Sequence, residues 1–374
     1  MENIQFIDLQ AQRAYLGSKI DEAIARVLAH GRFIMGPEIK TLETQLSEFG
    51  KTERTVSCSN GTDALQLALM AFEVGPGDAV FVPSFTFAST GEVVALVGAT
   101  PVFVDVLPDT YNMDPAHLEL AIEGVKAKGD LTPKAVIAVD LFGQIADYPA
   151  LKKITDAHGL KLISDAAQGF GATLDGQQSG AWADVVTTSF FPAKPLGGYG
   201  DGGAILTNDS ALANVLESLR VHGYGTDKYD NIRIGMNGRL DTLQAAILIE
   251  KLAIFPEEIG KRNEIAARYS EALSSVATVP HIMDGARSVW AQYTLLVEDR
   301  DGVQARLKER GVPTAAYYPK PMHQQTAYKH YPLGGNGLPV SDRLAEKVVS
   351  LPMHPYLDAK TQDYIIESVK QAVS

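Results

Sequence analysis

A few short segments of this 374-residue chain carry side chains able to act on a small ligand. In the run 188–203, Lys194 follows Pro192 and Ala193, precedes Pro195, and sits among Phe190, Phe191, Leu196 and five glycines. An amine in apolar, aromatic surroundings loses hydration of its charged form. Its pKa falls, and more of it is free to attack a carbonyl. A surface lysine is the ordinary alternative, and this segment alone leaves both open. Asp165 follows the apolar run 160–164 (LKLIS), where desolvating a carboxylate is costly and demands a cation or a donor. A pyridine nitrogen would be such a partner. The carboxylate would keep it protonated and make the ring an electron sink. Asp as the cap of a following helix is the other reading. Residues 59–63 (SNGTD) stand before a helical run and could offer N–H groups and a hydroxyl to a phosphate, or simply cap that helix. Phe87, just beyond a strand, could stack on a flat ring or belong to the core.

These residues need a scaffold, and the pattern supplies one. Apolar runs at 79–82, 101–106, 134–139, 160–164, 184–190 and 203–207 read as strands. Helical spacing appears at 63–72, 117–126 and 148–158. Strands alternating with helices from about 65 to 208 indicate an α/β layer with a mostly parallel sheet. Ligands of such sheets bind beyond the carboxyl ends of the strands. Asp165, Ser189 and residues 85–87 all fall at such ends. Residues 198–203 satisfy G-x-G-x-x-G, but they lead into a strand rather than opening a helix, so the dinucleotide reading is rejected. Tight turns beside a ligand explain those glycines better. Helices are expected at 240–252 and 256–273, then short strands at 290–297 and 314–318 with two further helices. A boundary near 250 divides the chain into 1–250, a large α/β domain, and 251–374, a smaller α+β domain.

Composition narrows the function. The net charge is −12, with no basic excess for nucleic acid to meet. The single cysteine, Cys58, cannot form an internal disulfide, which fits a reducing cytoplasm, and is expected to be buried and inert. The N-terminal residues lack the basic and apolar regions of a signal peptide, and no apolar run approaches the ~20 residues of a membrane span. A cytoplasmic enzyme without membrane or nucleic-acid partners is therefore expected. His222 and His323 lack metal-ligand spacing and are read as structural.

In order along the chain, SNGTDAL (59–65), PSFTFAST (83–90), VDVLPDTYNMDP (104–115), DAAQGFGA (165–172), SFFPAKPLGGYGDGGAI (189–205), Arg220-Val221-His222-Gly223 and GMNGRLDTLQAAIL (235–248) resemble the DegT/DnrJ/EryC1/StrS sugar aminotransferases. The resemblance covers nearly the whole chain, and the lysine segment is its most specific part. It implies a fold type I enzyme dependent on pyridoxal 5'-phosphate (PLP), with a three-layer α/β/α large domain. It implies that Lys194 is the Schiff-base lysine and proton carrier, and that Asp165 pairs with the pyridine nitrogen. Gln168 would lie near the ring and its phenolic oxygen, and Phe87 would stack on the ring. Gly61, Thr62 and Ser189 would hold the phosphate. Asn237 would reach the phosphate of a neighbouring copy, making a homodimer with shared active sites. Glutamate is the implied amino donor and a keto-sugar nucleotide the acceptor. Lys194, where related dehydratases carry His, argues against dehydration.

A narrower similarity, through residues 6–9 (FIDL), the lysine segment and 351–357 (LPMHPYL), is to enzymes that aminate C3 of UDP-2-acetamido-2-deoxy-3-oxo-glucuronate for bacterial surface polysaccharide such as O-antigen. Arg239 is a candidate for the uronate carboxylate by a bidentate contact, or for an ion pair with Asp241. Tyr317 and Tyr318 match a His-Tyr pair near the sugar in that subgroup. Tyr in place of His leaves other 3- or 4-keto-deoxysugar nucleotides (UDP, dTDP or GDP) open. An amino-acid aminotransferase would need a pair of arginines for two carboxylates, and none is evident. A PLP-binding regulator without turnover is disfavoured by the intact Lys194 and Asp165.

Overall fold

The computed structural model describes residues 4–227 and 229–373. The strands, in chain order, are β1 (Arg54–Cys58), β2 (Asp78–Pro83), β3 (Thr100–Val104), β4 (Thr132–Val139), β5 (Lys161–Asp165), β6 (Thr173–Leu174), β7 (Val185–Ser189), β8 (Gly203–Thr207), β9 (Ala286–Arg287), β10 (Tyr293–Leu296) and β11 (Val348–Leu351). The helices are α1 (Leu9–Leu16), α2 (Lys19–His30), α3 (Pro37–Gly50), α4 (Gly61–Ala71), α5 (Ser89–Leu96), α6 (Pro115–Lys128), α7 (Tyr148–His158), α8 (Ser210–Arg220), α9 (Thr242–Leu273), α10 (Arg300–Glu309), α11 (Pro339–Lys347) and α12 (Ala359–Val373).

Period-two alternation sorts each strand's side chains onto two faces. Phe81, Val136, Leu162, Val186 and Leu206 point to one core, which Leu42, Leu118, Leu151, Leu248 and Phe255 complete. Their sequence neighbours Val80, Val82, Ile137, Ile163, Val185 and Ile205 point to the other, with Leu65, Ala68, Val93 and Leu216. The result is the expected three-layer α/β/α arrangement. Its seven-stranded sheet has the order β1-β8-β7-β5-β4-β2-β3. Strands β3, β2, β4, β5 and β7 pair in parallel, while β8 runs antiparallel to both β7 and β1. Strand β1 lies upstream of the stretch in which alternation is expected. Its five residues (RTVSC) carry little hydrophobic signal, and it is recruited by pairing with β8.

The two helices expected on either side of residue 252 are one helix, α9, of 32 residues with Pro256 inside it. Proline removes one donor and crowds the preceding turn, and here the flanking packing carries the helix through. Leu248, Leu252 and Phe255 belong to the first core, and Ile265, Tyr269 and Leu273 to a separate C-terminal core with Tyr293, Leu295, Val349, Ile365 and Val369. Residue 250, where the boundary is expected, thus lies within a continuous helix. The C-terminal part is α+β, with β10 antiparallel to β11 and packed helices α10 and α12. Residues 314–318 do not form the expected strand; Ala315 alone bridges to Ser350. Three helices, not two, follow α9 among the described residues. No helix of the described residues is long and apolar enough to cross a membrane.

The N-terminal segment is pinned to this C-terminal part, Met353 N–H donating to the Phe6 carbonyl at 3.2 Å. Beside it His354 is buried, its Nδ1 has no hydrogen-bond partner among the described residues, and burial pushes its pKa down to about 4. A neutral buried histidine stabilises the fold fully above the unfolded value of about 6.5, and that contribution is lost as pH falls toward 4. Urea denaturation at a series of pH values is expected to show the wild type losing about 3 kcal/mol more than His354→Gln across this window. Parallel curves for the two proteins would refute the assignment.

Candidate active site

Sheet register gathers the segments. Cys58 at the end of β1 is opposite Gly203, and Gly203 is opposite Ser189 at the end of β7. The chain leaving β1 therefore begins α4 beside Ser189. Gly61 lies so close that a Cβ there would be 2.6 Å from Ser189 Cβ, so only glycine fits. Asn60 caps α4, its Oδ1 accepting from Asp63 N–H at 2.8 Å, while Ser59 and Asn60 both hold the Asp63 carboxylate. Capping and anion binding thus do not compete. Asn60 serves Asp63, and Gly61 and Thr62 form the first turn. Thr62 Oγ1 lies 2.7 Å from Ser89 Oγ at the start of α5. Two hydroxyls, the Ser189 hydroxyl and a helix N-terminus together make a cup suited to a phosphate. Ser89 was not singled out from sequence, although it lies within the PSFTFAST segment.

Asp165 ends β5 and is 7% exposed. Its Oδ2 accepts from Thr90 Oγ1 at 3.1 Å and its Oδ1 from Ala167 N–H at 3.2 Å. No helix begins there, so the helix-cap reading falls away and the Ala167 contact closes only a turn. Burial raises the Asp165 pKa against those donors and the nearby charge of Lys194. Asp140, at the end of β4, is also buried, and desolvation pushes it up to about 8, with the Asp165 charge adding to the rise. Both buried carboxyls are thus pushed up by desolvation, and Asp165 alone of the two is drawn back toward its charged form by Lys194.

Lys194 is partly buried, and burial lowers its pKa while Asp165 pulls it back up. Gln168 is fixed from both ends. Its Oε1 accepts from Phe142 N–H at 2.8 Å and its Nε2 donates to the Tyr318 hydroxyl at 3.0 Å. Tyr318 packs edge-on against Phe85, 6.2 Å between centroids, and lies 6.3 Å from Phe87. Phe87 itself is 56% exposed, a ring face left open at the site rather than a core residue. Tyr317 is half-buried against Phe6. The C-terminal part thus reaches the sheet edge through Tyr318, a contact no local pattern announces.

Asn237 and Arg239 join none of these contacts. Their segment runs beside the cup, where Ser59 N–H donates to the Gly238 carbonyl at 3.1 Å, yet Asn237 is exposed. Arg239 forms no ion pair with Asp241, and its buried Nε has no partner among the described residues. The loop glycines 197–203 adopt no left-handed φ. Instead of turning, they admit close backbone approach: a Cβ at Gly203 would lie 2.4 Å from the Asn60 carbonyl oxygen. His323 is a strut, 2.7 Å from Ser84 Oγ and 3.0 Å from Asp342. The Cys58 thiol is buried and pushed up to about 12, which leaves it inert.

The residues present fit PLP. The cup matches its phosphate, the desolvated Asp165 its ring nitrogen, the open Phe87 face its ring, and the buried amine of Lys194 its carbonyl carbon. Comparison with known proteins agrees. The DegT/DnrJ/EryC1/StrS aminotransferase family matches residues 14–370. The UDP-2-acetamido-2-deoxy-3-oxo-D-glucuronate aminotransferase of Pseudomonas aeruginosa is 50% identical over 95% of this chain and 96% of its own. A crystal structure of a DegT DnrJ EryC1 StrS aminotransferase from Brucella abortus superposes with a TM-score of 0.97 at 54% identity, covering 98% of this chain and 99% of that one. NtdA from Bacillus subtilis, solved with bound cofactor PMP, superposes with a TM-score of 0.86 at 29% identity, covering 98% of this chain and 83% of that one. With the family matched over residues 14–370 and a relative 50% identical over 95% of this chain, this chain belongs to the DegT/DnrJ/EryC1/StrS aminotransferase family, as a PLP-dependent sugar-nucleotide aminotransferase.

Proposed function

We propose that this enzyme transfers the amino group of glutamate to C3 of UDP-2-acetamido-2-deoxy-3-oxo-glucuronate, in the cytoplasm, for a bacterial surface polysaccharide such as O-antigen. The observation that carries the choice of a uronate is Arg239, a partly buried guanidinium with no ion-pair acid among the described residues. A partly buried guanidinium whose Nε has no partner among the described residues has donors to offer, and a substrate carboxylate would take them by a bidentate contact. The half-identical Pseudomonas relative bears the name of that reaction.

Bound PLP supplies an electron sink for the carbon that loses its proton. The chain's own residues do the rest. Thr62, Ser189 and the N–H groups of the α4 first turn hold the phosphate, with Gly61 allowing the close approach. Asp165 keeps the ring nitrogen protonated, Phe87 covers one ring face, and Gln168, held by Tyr318, orients the phenolic edge. Lys194 Nζ, whose pKa burial lowers, would take the proton from the donor's α-carbon and return it at the cofactor. It makes the reverse transfer for the sugar. Tyr317 and Tyr318 face the sugar. Asn237, exposed on a single chain, extends to the phosphate of a second copy, so the active unit is a homodimer.

The test is a substrate panel with glutamate as donor: the UDP-3-oxo-uronate, its neutral UDP counterpart lacking the carboxylate, and dTDP- and GDP-linked 4-keto-deoxysugars. The uronate is expected to be preferred. Arg239→Ala is expected to lower kcat/KM for it by about 10²-fold while leaving the neutral sugar within about threefold. An equal loss on both sugars would sink the role of Arg239, and preference for a 4-keto-deoxysugar would replace the uronate reading.

A further inference from the structure

The loop that carries Lys194 is held by one face of α9. Gln244, Lys251 and Glu258 recur every seven residues along that helix, close to two turns apart, and so share a face. Gln244 Oε1 accepts from Tyr199 N–H at 2.8 Å. Gly198 and Gly200 approach the same amide so nearly that a Cβ at either would lie 2.8 Å from it. Lys251 is 1% exposed. Its Nζ donates to the Gly197 carbonyl at 2.5 Å and lies 4.6 Å from the Tyr199 ring centroid, a cation–π contact. It has no ion-pair partner among the described residues. Glu258, next along the stripe, accepts from Gln12 at 2.9 Å and from the Tyr356 hydroxyl at 2.6 Å, and so anchors the helix itself.

A lysine buried with no carboxylate at salt-bridge distance, Glu258 acting on it only from further along the stripe, is an expensive way to fill space that methionine would fill without charge. What the charge secures here is a carbonyl three residues from Lys194, in a glycine-rich loop with few hydrogen bonds of its own, among them Gly198 N–H to the Phe190 carbonyl and Lys194 N–H to the Phe191 carbonyl. We propose that Lys251, assisted by Gln244, is a positioning residue that fixes the Lys194 loop so that the amine meets the cofactor at the correct place. The proposal rests on the reading of Lys194 as the reacting amine. It predicts that misplacement of the loop slows the reaction without weakening substrate binding, since a displacement of about 1 Å costs on the order of 10²-fold.

The experiment compares wild type, Lys251→Met and Lys251→Arg. Hydrogen exchange of the apoenzymes is followed in peptides spanning 190–203 and, as internal controls, β4 and β5. After reconstitution with PLP, the rate and glutamate dependence of the visible absorbance change in the half-reaction are recorded. Lys251→Met is expected to raise exchange in 190–203 about tenfold with the controls unchanged. It is expected to slow the half-reaction about 10- to 100-fold with little change in the glutamate concentration at half-saturation. Lys251→Arg, which keeps a cation near the carbonyl, is expected to recover to within about threefold. Should Lys251→Met not fold, Gln244→Ala, which removes the Tyr199 hydrogen bond and the amide that Gly198 and Gly200 pack against but leaves the Lys251 contact, is expected to give the same pattern in smaller measure. Wild-type exchange in 190–203, or a rise shared by β4 and β5 that Arg does not reverse, would overturn the proposal. Failure of the underlying reading would look different: Lys194→Ala would retain the half-reaction, whatever the loop does.

Discussion

Lys194→Ala is expected to slow the glutamate half-reaction by about 10⁴-fold while leaving the fold intact. The loop backbone is held by Gln244 and Lys251 and by the Gly198 N–H to Phe190 carbonyl bond of 2.7 Å, not by the Lys194 side chain. Truncation therefore removes the reacting amine without loosening its support. The measurement is visible absorbance after reconstitution with PLP, followed on addition of glutamate. Wild type should convert within the first turnover, and the variant should bind the cofactor without converting it. Burial lowers the Lys194 pKa, so the wild-type rate of cofactor capture by apoenzyme should fall only at pH values below the usual lysine range, as the amine becomes protonated. Conversion by the alanine variant at a rate near wild type would remove Lys194 from the mechanism.

Asp165→Asn is expected to cost about 10²- to 10³-fold in the half-reaction, because the proposed role of Asp165 is to place a charge at the ring nitrogen, and that charge is lost. Asn has nearly the same shape: its Oδ1 can still accept from Ala167 N–H, while its Nδ2 would donate to Thr90 Oγ1 and reverse that one bond, so the main change is the loss of charge. Burial makes the charged Asp165 costly in the apoenzyme, so the variant apoenzyme should be at least as stable as wild type in thermal denaturation. Loss of activity without loss of stability is the signature of a residue retained for chemistry. The sign of a second effect is also set. Asp165 favours the protonated form of Lys194, so its removal should shift the acid limb of cofactor capture to lower pH. A variant that keeps full activity would return Asp165 to a structural role.

Much of this was legible before the structure. Strand ends at 165 and 189, the helix starts near 63 and at 148, and the special surroundings of Lys194 follow from patterns a few residues long. Alternation separates faces, a cap needs its partner three residues away, and apolar neighbours alter an amine's ionisation. The two faces of the sheet and the positions of Asp165 and Ser189 at its edge came out as that reasoning required. It failed where local signal was weak or was overridden. β1 is too polar to stand out, Pro256 is carried through α9 by packing on both sides, and the loop glycines serve close approach rather than turns.

What chemistry the chain can perform is written in its residue types and their near neighbours. How the pieces meet is not, because the deciding contacts join residues far apart in sequence. Gln168 is held by Tyr318, 150 residues on, and the Gly197 carbonyl by Lys251, 54 residues on. Gly61 meets Ser189 because β8 turns back between β1 and β7. Short-range periodicity reports which face a side chain takes; pairing across such distances depends on sheet order, register and helix packing, and these exist only once the whole chain has folded.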